Sequence, residues 1–460
     1  MPKRSLTIWI ILTVIVTAGL SYALPGSSGM NEYSTFFLPG KTTHGHYQIE
    51  LACSACHTPF GGVKEQSCID CHGADLKAGK DTHPASKFDD PSNLKRLEII
   101  DAQKCITCHA EHVDKQTHPM GVTLPLDYCI RCHEDVADDR PSHKGMTFQS
   151  CSTAGCHNYH DNLALYEKFL DDHYGEADFL EEQTVAVPVS LKNSEKQLTA
   201  EDHDCRIGQW AWQSAITDWS QSVHAQAGVN CSGCHNGLVK DKNGKSADAG
   251  AESSEWVVKP NQQQCAKCHQ QELDGWQAGK HGMRTLSGLS PMQPQLARLP
   301  MHPEVGHHNL DCHSCHKPHQ YDREYASMEA CLKCHADDHS QNYASSGHYQ
   351  LWKQELSGKL PAGSGVSCAT CHMPRSEDSS LNGVAVEHNQ NLNLQPNEKM
   401  IRTVCMNCHG LQFSLDALAD PQQKIDCYSQ PTSVEVESVQ MARDWFEAKR
   451  LARERRKKSK

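Results

Sequence analysis

The chain is poor in the residues from which protein cores are made. Hydrophobic residues, cysteine included, make up 38% of its 460 positions, and aromatic residues make up only 6%. Soluble globular domains have roughly 45–50% apolar residues, so side chains alone would give this chain a thin core. We therefore expect something other than ordinary side-chain packing to supply apolar surface in its interior.

The chain also lacks a positive net charge and has only one long apolar run. The formal net charge is −12, which argues against a nucleic-acid partner. The one long apolar run extends from Leu6 to Leu24 and follows Lys3 and Arg4. Basic residues before an apolar run are typical of export signals, and this run approaches the ~20 residues that span a bilayer. We expect a signal-anchor in the bacterial inner membrane that places the rest on the periplasmic side; a cleaved signal and a soluble periplasmic product is the alternative.

Cysteine, by contrast, is abundant and patterned. Ten Cys-x-x-Cys pairs are each followed directly by histidine, and the wider pair Cys151 and Cys156 precedes His157. Only 30 of the 460 residues are histidine, so chance does not explain this. The motif is the attachment signature of c-type haem, in which both cysteines bond the porphyrin and the histidine is the proximal iron ligand. Zinc ribbons and disulfides also pair cysteines, but neither requires the adjacent histidine.

We number the eleven motifs in chain order as sites 1 to 11. The cofactor-binding cysteines are Cys53 and Cys56 (site 1), Cys68 and Cys71 (2), Cys105 and Cys108 (3), Cys129 and Cys132 (4), Cys151 and Cys156 (5), Cys231 and Cys234 (6), Cys265 and Cys268 (7), Cys312 and Cys315 (8), Cys331 and Cys334 (9), Cys368 and Cys371 (10), and Cys405 and Cys408 (11). The proximal ligands, in the same order, are His57, His72, His109, His133, His157, His235, His269, His316, His335, His372 and His409.

This pattern predicts about eleven covalently attached haem c groups that form the core. We expect a mostly α-helical fold with extensive loops and little β structure. Two cysteines, Cys205 and Cys427, lie outside the motifs. A disulfide between them, two free thiols and a metal role all remain open.

The spare histidines bear on function, because a haem iron has two axial positions. With both filled by protein a haem only transfers electrons, whereas an open one can bind a substrate. Nineteen histidines remain after the eleven proximal ones, so bis-histidine ligation throughout is possible. The distal candidates that we favour are His112, His143, His224, His281, His348 and His388. Further possibilities are His160 and His319, which share with His112 a spacing of three residues after a proximal histidine, and His44, His46, His83, His118, His307, His308 and His339 in connecting segments.

The motifs form two clusters, which predicts two haem domains. We expect a signal-anchor over 1–30, a five-haem domain over 40–175, a linker over 176–204, a six-haem domain over 205–430 and a C-terminal helix with a basic tail over 431–460. The basic tail suits either a solvated helix end or a docking patch for an acidic partner or a membrane surface. Helices are predicted over 161–174, 204–223 and 434–456, and loops over 236–254, 283–306 and 375–397.

Several segments of the second cluster resemble the octahaem hydroxylamine oxidoreductase and pentahaem nitrite reductase superfamily. They are Trp219–His224, Ser346–Tyr349 with Trp352, Gly365–Pro374 and Glu387–Asn389. The resemblance covers roughly residues 205–450 and implies distal roles for His348 and His388. The first cluster, over about 40–165, resembles a class III multihaem cytochrome in its site spacing, in the wide site 5 and in the run from Cys105 to His112.

Two functions follow from these patterns. The favoured one is a periplasmic conduit that transfers electrons along mostly bis-histidine haems between redox protein partners, one of them a membrane quinol-oxidising complex. The alternative is a haem oxidoreductase that acts on a small nitrogen or sulfur compound at one open haem, with Arg284, Lys317 or Arg375 attracting an anion. The Cys-x-x-Cys-Lys motif of nitrite reductases is absent from the sequence, which favours the carrier.

Overall fold

The structure is a computed structural model that carries side chains. It describes residues 8–17, 38–58, 61–80, 83, 88–116, 118–140, 143–146, 157–161, 163, 165–181, 185–186, 197–205, 213–238, 252–320, 322–378, 383–394 and 397–458. Cys151 and Cys156 of site 5 lie outside these residues, as does most of the apolar run near the N-terminus.

The chain divides into two compact units. The first unit comprises Met1–Asp172, Met283–Ser290 and Ser438–Lys460, and the second comprises His173–Gly282 and Pro291–Glu437. Sites 1 to 5 therefore belong to the first unit and sites 6 to 11 to the second. Residues at the start of the expected linker belong to the second unit because they bind site 11: Glu176 Oε2 accepts from the main-chain N–H of Leu411 at 3.1 Å, and the Asp178 carbonyl accepts from His409 Nδ1 at 3.0 Å.

Short helices dominate both units. Those of the first unit are 8–17, Cys53–Cys56, Glu65–Gly79, Leu94–Ile99, Cys105–Cys108, Ile130–His133, Val136–Asp139, Glu167–Asp172, Met283–Leu286 and Ser438–Lys458. Those of the second unit are Gln213–Ser220, Val223–Gln226, Cys231–His235, Gln262–Ala266, Gln270–Ala278, Ala330–Leu332, Asp338–Asn342, Gly347–Leu356, Cys368–His372, Gln390–Leu394, Lys399–Thr403, Leu411–Ala419 and Pro421–Ile425. Four of them begin at the first cysteine of a motif, namely Cys53, Cys105, Cys231 and Cys368.

Strand is confined, within the described residues, to three two-stranded antiparallel hairpins. They are β1 (His57–Thr58) with β2 (Gly62–Val63), β3 (Asn236–Leu238) with β4 (Glu252–Trp256), and β5 (Arg375–Asp378) with β6 (Gly383–Val386). Each hairpin starts at or just after a proximal histidine. The prediction of a mostly α fold with little β structure is confirmed. The segments 236–254 and 375–397, expected as loops, contain hairpins instead. The sequence does not indicate these strands because they lack the apolar alternation typical of a half-buried strand.

The predicted helices are shorter than expected, and capping explains where they break. Of the helix predicted over 161–174, the part that the structure describes is α-helical over Glu167–Asp172. In 204–223, the described part is helical over Gln213–Ser220, and Ser222 then caps a new helix by accepting from Ala225 N–H. The helix predicted over 434–456 begins at Ser438, because the N–H groups of the preceding residues bind side chains; that of Val436, for example, donates to Asp416 Oδ1 at 2.7 Å. The segment 283–306, expected as a loop, begins with the helix Met283–Leu286.

The apolar core of the first unit is small, as the composition predicts. Among its described residues, the buried apolar side chains are those of Ala52, Val122, Leu165, Leu170, Val439 and Ala442. Six such side chains bury too little apolar surface to hold five histidine-rich sites together. Within its described residues, the first unit therefore has little side-chain core of its own.

The N-terminal and C-terminal helices of the first unit differ in the exposure of their apolar side chains. The helix over 8–17 exposes its apolar side chains, with Trp9 62% and Ile15 64% accessible. Of the helices in the described residues, none combines the length and hydropathy that crossing a membrane requires. The C-terminal helix packs Val439 and Ala442 inside, pairs Arg443 with Asp171 at 3.4 Å, and ends in exposed basic side chains.

Candidate haem-binding sites

Each haem motif whose cysteines the structure describes folds so that its histidine lies one helical turn after the first cysteine. The histidine N–H donates to the carbonyl of that cysteine, an i to i−4 bond of the α-helical kind. The bond is 2.9 Å long at sites 3, 7, 8, 9 and 11 and 3.0 Å long at site 4. The motif therefore presents both sulfurs and the imidazole to one side of the chain, as attachment to a single porphyrin requires.

Polar residues just before the motifs fix where these turns begin. Capping boxes, in which two residues three apart bind each other's main-chain N–H, start sites 8 and 10 at Asp311 and Ser367. At site 3, Glu65 Oε2 accepts from the N–H of Cys105 at 3.0 Å. A cap of this kind stabilises a helix end by about 1 kcal/mol, which matters because one turn alone is unstable.

The most informative feature of the structure is that all eleven proximal histidines face a second histidine. In the first unit the pairs, with their ring-centroid distances, are His57 with His112 (6.4 Å), His72 with His46 (5.9 Å), His109 with His160 (6.2 Å), His133 with His83 (6.0 Å) and His157 with His143 (6.1 Å). In the second unit they are His235 with His319 (6.0 Å), His269 with His224 (6.2 Å), His316 with His388 (6.4 Å), His335 with His281 (6.3 Å), His372 with His339 (5.9 Å) and His409 with His348 (6.3 Å).

The narrow range of these distances fits a shared iron. A bond from a metal such as zinc to an imidazole nitrogen is about 2.0–2.1 Å long, so with the ring radius added on each side two imidazoles on opposite faces of one metal ion have centroids roughly 6 Å apart. Rings in direct contact lie closer, as Tyr159 does on His83 at 4.0 Å with 5° between planes. The residues present therefore fit haem irons with two axial histidines.

Hydrogen bonds at Nδ1 select the tautomer that can bind iron. Seven of the paired histidines hydrogen-bond a main-chain carbonyl through Nδ1: His83, His109, His112, His235, His339, His388 and His409. A carbonyl only accepts, so Nδ1 carries the proton and Nε2 keeps the lone pair for a metal. Such outer partners also fix the ring orientation of metal-bound histidines.

Desolvation keeps several of these histidines neutral. Desolvation is the largest cause and a neighbouring imidazole the second of a fall in pKa to about 4 for His281, His316, His348 and His372. A histidine must be neutral to bind a metal. These four rings are thus held in the ligating form throughout the physiological pH range.

The structure places the favoured distal candidates and also identifies further ones. His112, His143, His224, His281, His348 and His388 each lie opposite a proximal histidine. Five more partners, which the sequence offered only as possibilities, are His46, His83, His160, His319 and His339. A usable signal was present: His112, His160 and His319 all follow a proximal histidine by three residues, and each pairs with the proximal histidine of the site two motifs earlier.

Site 1 shows how tightly one distal histidine is held. His112 has a positive φ of 65°, which is uncommon for a residue other than glycine, and its Nδ1 donates to the Gly40 carbonyl at 2.8 Å. A Cβ at position 40 would lie 2.4 Å from the carbonyl oxygen of His112. Only glycine permits this close approach, so Gly40 is part of the site.

Aromatic rings stack on the histidines of other sites. Besides Tyr159 on His83 of site 4, the stacked rings are Tyr166 on His157 of site 5 (5.1 Å), Trp256 on His235 of site 6 (4.8 Å) and Phe413 on His409 of site 11 (4.6 Å). Such stacking covers the imidazole and limits its rotation. These three sites are the last of the first cluster and the first and last of the second.

Consecutive sites are neighbours in space within each unit. In the first unit the side chains within interaction range are Cys56 with Cys68, Cys68 with Cys105, both Cys108 and Cys129 with Tyr128, and His133 with His157. In the second they are Cys234 with Cys265, Cys265 with Cys312, Cys315 with Cys331, Cys331 with Cys368, and Cys371 with Cys405. The sites therefore follow one another in chain order, 1 to 5 and 6 to 11.

The cations considered for an anion pocket have other partners. The Arg284 guanidinium donates to the carbonyls of Gln48 at 2.7 Å and Ser290 at 3.0 Å. Lys317 lies 3.5 Å from Asp322 and over the Tyr325 ring, and Arg375 begins β5. Cys205 and Cys427 are not bonded to each other; Cys427 is buried with its sulfur 3.9 Å from His339 Nε2.

Comparison with known proteins agrees with this geometry. Residues 97–282 match the family model of outer membrane cytochrome MtrC/MtrF-like proteins, domains II/IV, and residues 45–134 match that of cytochrome c3. Neither of these two is the hydroxylamine oxidoreductase and nitrite reductase superfamily, and no curated protein matches the chain significantly. Both matched families are multihaem cytochromes. The chain is therefore a multihaem c-type cytochrome that binds haem c covalently and transfers electrons.

Proposed function

We propose that the protein is a periplasmic electron conduit with eleven haem c groups, all with two axial histidines. The observation that carries this proposal is the set of eleven histidine pairs, each with ring centroids 5.9–6.4 Å apart. A second histidine at every site leaves no axial position for a small substrate. This arrangement favours electron transfer over the alternative, an oxidoreductase with one open haem.

Bound haem would supply the one-electron Fe(III)/Fe(II) couple. The protein's part is to fix each site and its surroundings. The two histidines of each pair would hold the iron in either oxidation state, so little rearrangement of the protein would accompany a change of charge. Carbonyl acceptors at Nδ1 and stacked aromatic rings keep the imidazoles in place.

The order of the sites supports a continuous path through each unit. Cys68 interacts with cysteines of sites 1 and 3, and Cys331 with cysteines of sites 8 and 10. An electron that enters at one end of a unit can thus pass between adjacent sites without any group moving. We assign sites 1 to 5 and sites 6 to 11 as two relays, one in each unit.

We further propose that the protein is held at the periplasmic side of the inner membrane by its N-terminal segment. The exposed apolar side chains over 8–17 and the preceding Lys3 and Arg4 support this. Its partners would be redox proteins, among them a membrane quinol-oxidising complex that donates electrons. Replacing residues 1–30 with a cleavable export signal is expected to move the protein from the membrane fraction to the soluble periplasm. Retention of this variant in the membrane fraction would contradict the anchor.

We also propose that residues 205–450 are similar to the hydroxylamine oxidoreductase and nitrite reductase superfamily in their haem arrangement. That resemblance implies distal roles for His348 and His388, and both lie opposite a proximal histidine, at 6.3 and 6.4 Å. It is offered as a likeness of haem arrangement and not of activity, because a histidine faces every proximal ligand of the second unit.

Spin state and carbon monoxide binding test the proposed function. The ferric protein is expected to be entirely low-spin, the ferrous protein to bind no carbon monoxide, and a reductive titration to take up eleven electrons per chain. A high-spin haem that binds carbon monoxide or nitrite in the wild-type protein would favour the oxidoreductase instead.

A further inference from the structure

The distal histidine of site 2 is hydrogen-bonded by a carboxylate. Nδ1 of His46 lies 2.5 Å from Oε1 of Glu111. This differs from the seven paired histidines described above, whose Nδ1 partners are neutral main-chain carbonyls. A carboxylate acceptor carries a full negative charge, so its hydrogen bond is the stronger kind.

Glu111 is held in this position by a second residue. The main-chain N–H of Thr43 donates to Oε2 of Glu111 at 2.7 Å, and its hydroxyl donates to Oε1 at 2.9 Å. Thr43 is only 3% exposed, so the carboxylate is fixed against a part of the chain that does not move freely.

A carboxylate bound to the outer nitrogen of a metal-ligating histidine makes that histidine a stronger electron donor. A stronger donor stabilises Fe(III), which carries one more positive charge than Fe(II). The stabilised ferric state lowers the reduction potential, and outer hydrogen bonds are a recognised means of tuning it.

We infer that Glu111 is a positioning residue that lowers the reduction potential of the haem at site 2 below those of its neighbours at sites 1 and 3. This inference rests on the proposed function, since it requires His46 and His72 to be the axial pair of that haem. Only an electron is exchanged in the reaction concerned, and no bond to Glu111 forms or breaks. The low-potential site then lies second in the relay.

Two other carboxylates lie near proximal histidines but too far away to act in the same manner. Glu272 is 3.7 Å from His269 Nδ1, and Asp337 is 3.6 Å from His335 Nδ1. Both separations exceed hydrogen-bond length. Glu272 is therefore a matched control: a carboxylate beside an axial histidine of another site, without the short bond.

The test compares Glu111→Gln with Glu272→Gln in the holoprotein by spectroelectrochemical titration. Loss of an outer-shell partner typically costs 10–100-fold in metal affinity or activity, and a tenfold change in a one-electron equilibrium corresponds to about 59 mV. In E111Q, one-eleventh of the haem absorbance change is expected to move to higher potential by at least tenfold in the Fe(III)/Fe(II) ratio. E272Q is expected to move by much less.

Haem content and spin state separate this inference from the proposed function. If E111Q keeps every haem low-spin and its titration superimposes on that of the wild type, the tuning role is overturned while the conduit stands. If E111Q matures with a haem missing, Glu111→Asp, which retains the charge, is expected to restore that haem and the wild-type low-potential step. Equal haem loss in both variants would show a purely structural role and overturn the inference.

Discussion

Replacing one distal histidine should open one haem and leave the other ten unchanged. His281 suits this perturbation because its ring centroid lies 6.3 Å from that of His335, the proximal ligand of site 9. Desolvation, and secondarily His335, lower its pKa to about 4, so the wild-type ring is neutral and able to bind iron. In His281→Ala the iron of site 9 keeps only His335.

We expect the number of carbon monoxide molecules bound per chain to change by a whole number. Carbon monoxide binding by the ferrous protein should rise from none in the wild type to one per chain in H281A, and one haem in eleven should become high-spin in the ferric state. Free imidazole at millimolar concentration should reverse both changes by entering the position of the lost ring. The matched control is His308→Ala, because His308 is exposed and is not among the histidines facing a proximal ligand. Carbon monoxide titration with spectral detection measures the stoichiometry. A fully low-spin H281A that binds no carbon monoxide would refute the assignment of His281 as an axial ligand.

Three further predictions follow from single features. The double variant Cys68→Ala, Cys71→Ala should lose one haem, which intact mass measures; an unchanged mass increment would contradict site 2. Main-chain hydrogen bonds, first from Ser433, lower the pKa of Asp420, so the stability that its carboxylate contributes is present above the unfolded pKa of about 3.9 and is lost as the pH falls towards the lower folded value. In unfolding experiments across acid pH, the free energy of unfolding should therefore decline more steeply for the wild type than for Asp420→Asn. Parallel curves would be inconsistent with this role. Gly40→Ala should lower the Tm through a steric cost of about 1–3 kcal/mol, because its Cβ would meet the carbonyl oxygen of His112; an equal Tm in calorimetry would argue against the close approach.

The haem motifs were readable from the sequence because their chemistry is local. Two cysteines and a histidine that attach to one porphyrin must be adjacent in the chain, so spacing alone locates them. The mostly α fold with little β structure followed from the same reasoning. What composition indicated, a core made of cofactors, agrees with the few apolar side chains buried in the first unit.

The pairing of distal histidines could not be read in the same way, because it is a long-range property. His46 precedes site 1 but faces the histidine of site 2, and His388 lies between sites 10 and 11 but faces that of site 8. The position of His388 between sites 10 and 11 does not indicate that it serves site 8. It depends on the hairpin of β5 and β6, at whose end the Val386 carbonyl accepts from His388 Nδ1 at 2.9 Å.

The carboxylate at site 2 was also beyond sequence reasoning. Glu111 lies next to His112, which belongs to site 1, and yet its side chain reaches His46 of site 2. Neighbours in the chain thus serve different sites, which only the folded arrangement shows.

The proposed conduit requires eleven covalently bound haems, one at each motif. Intact mass spectrometry of the mature protein, made in cells that attach c-type haem, tests it most directly. We expect a mass increment of eleven haems per polypeptide. A smaller increment, or a polypeptide that carries zinc in place of haem iron, would contradict it.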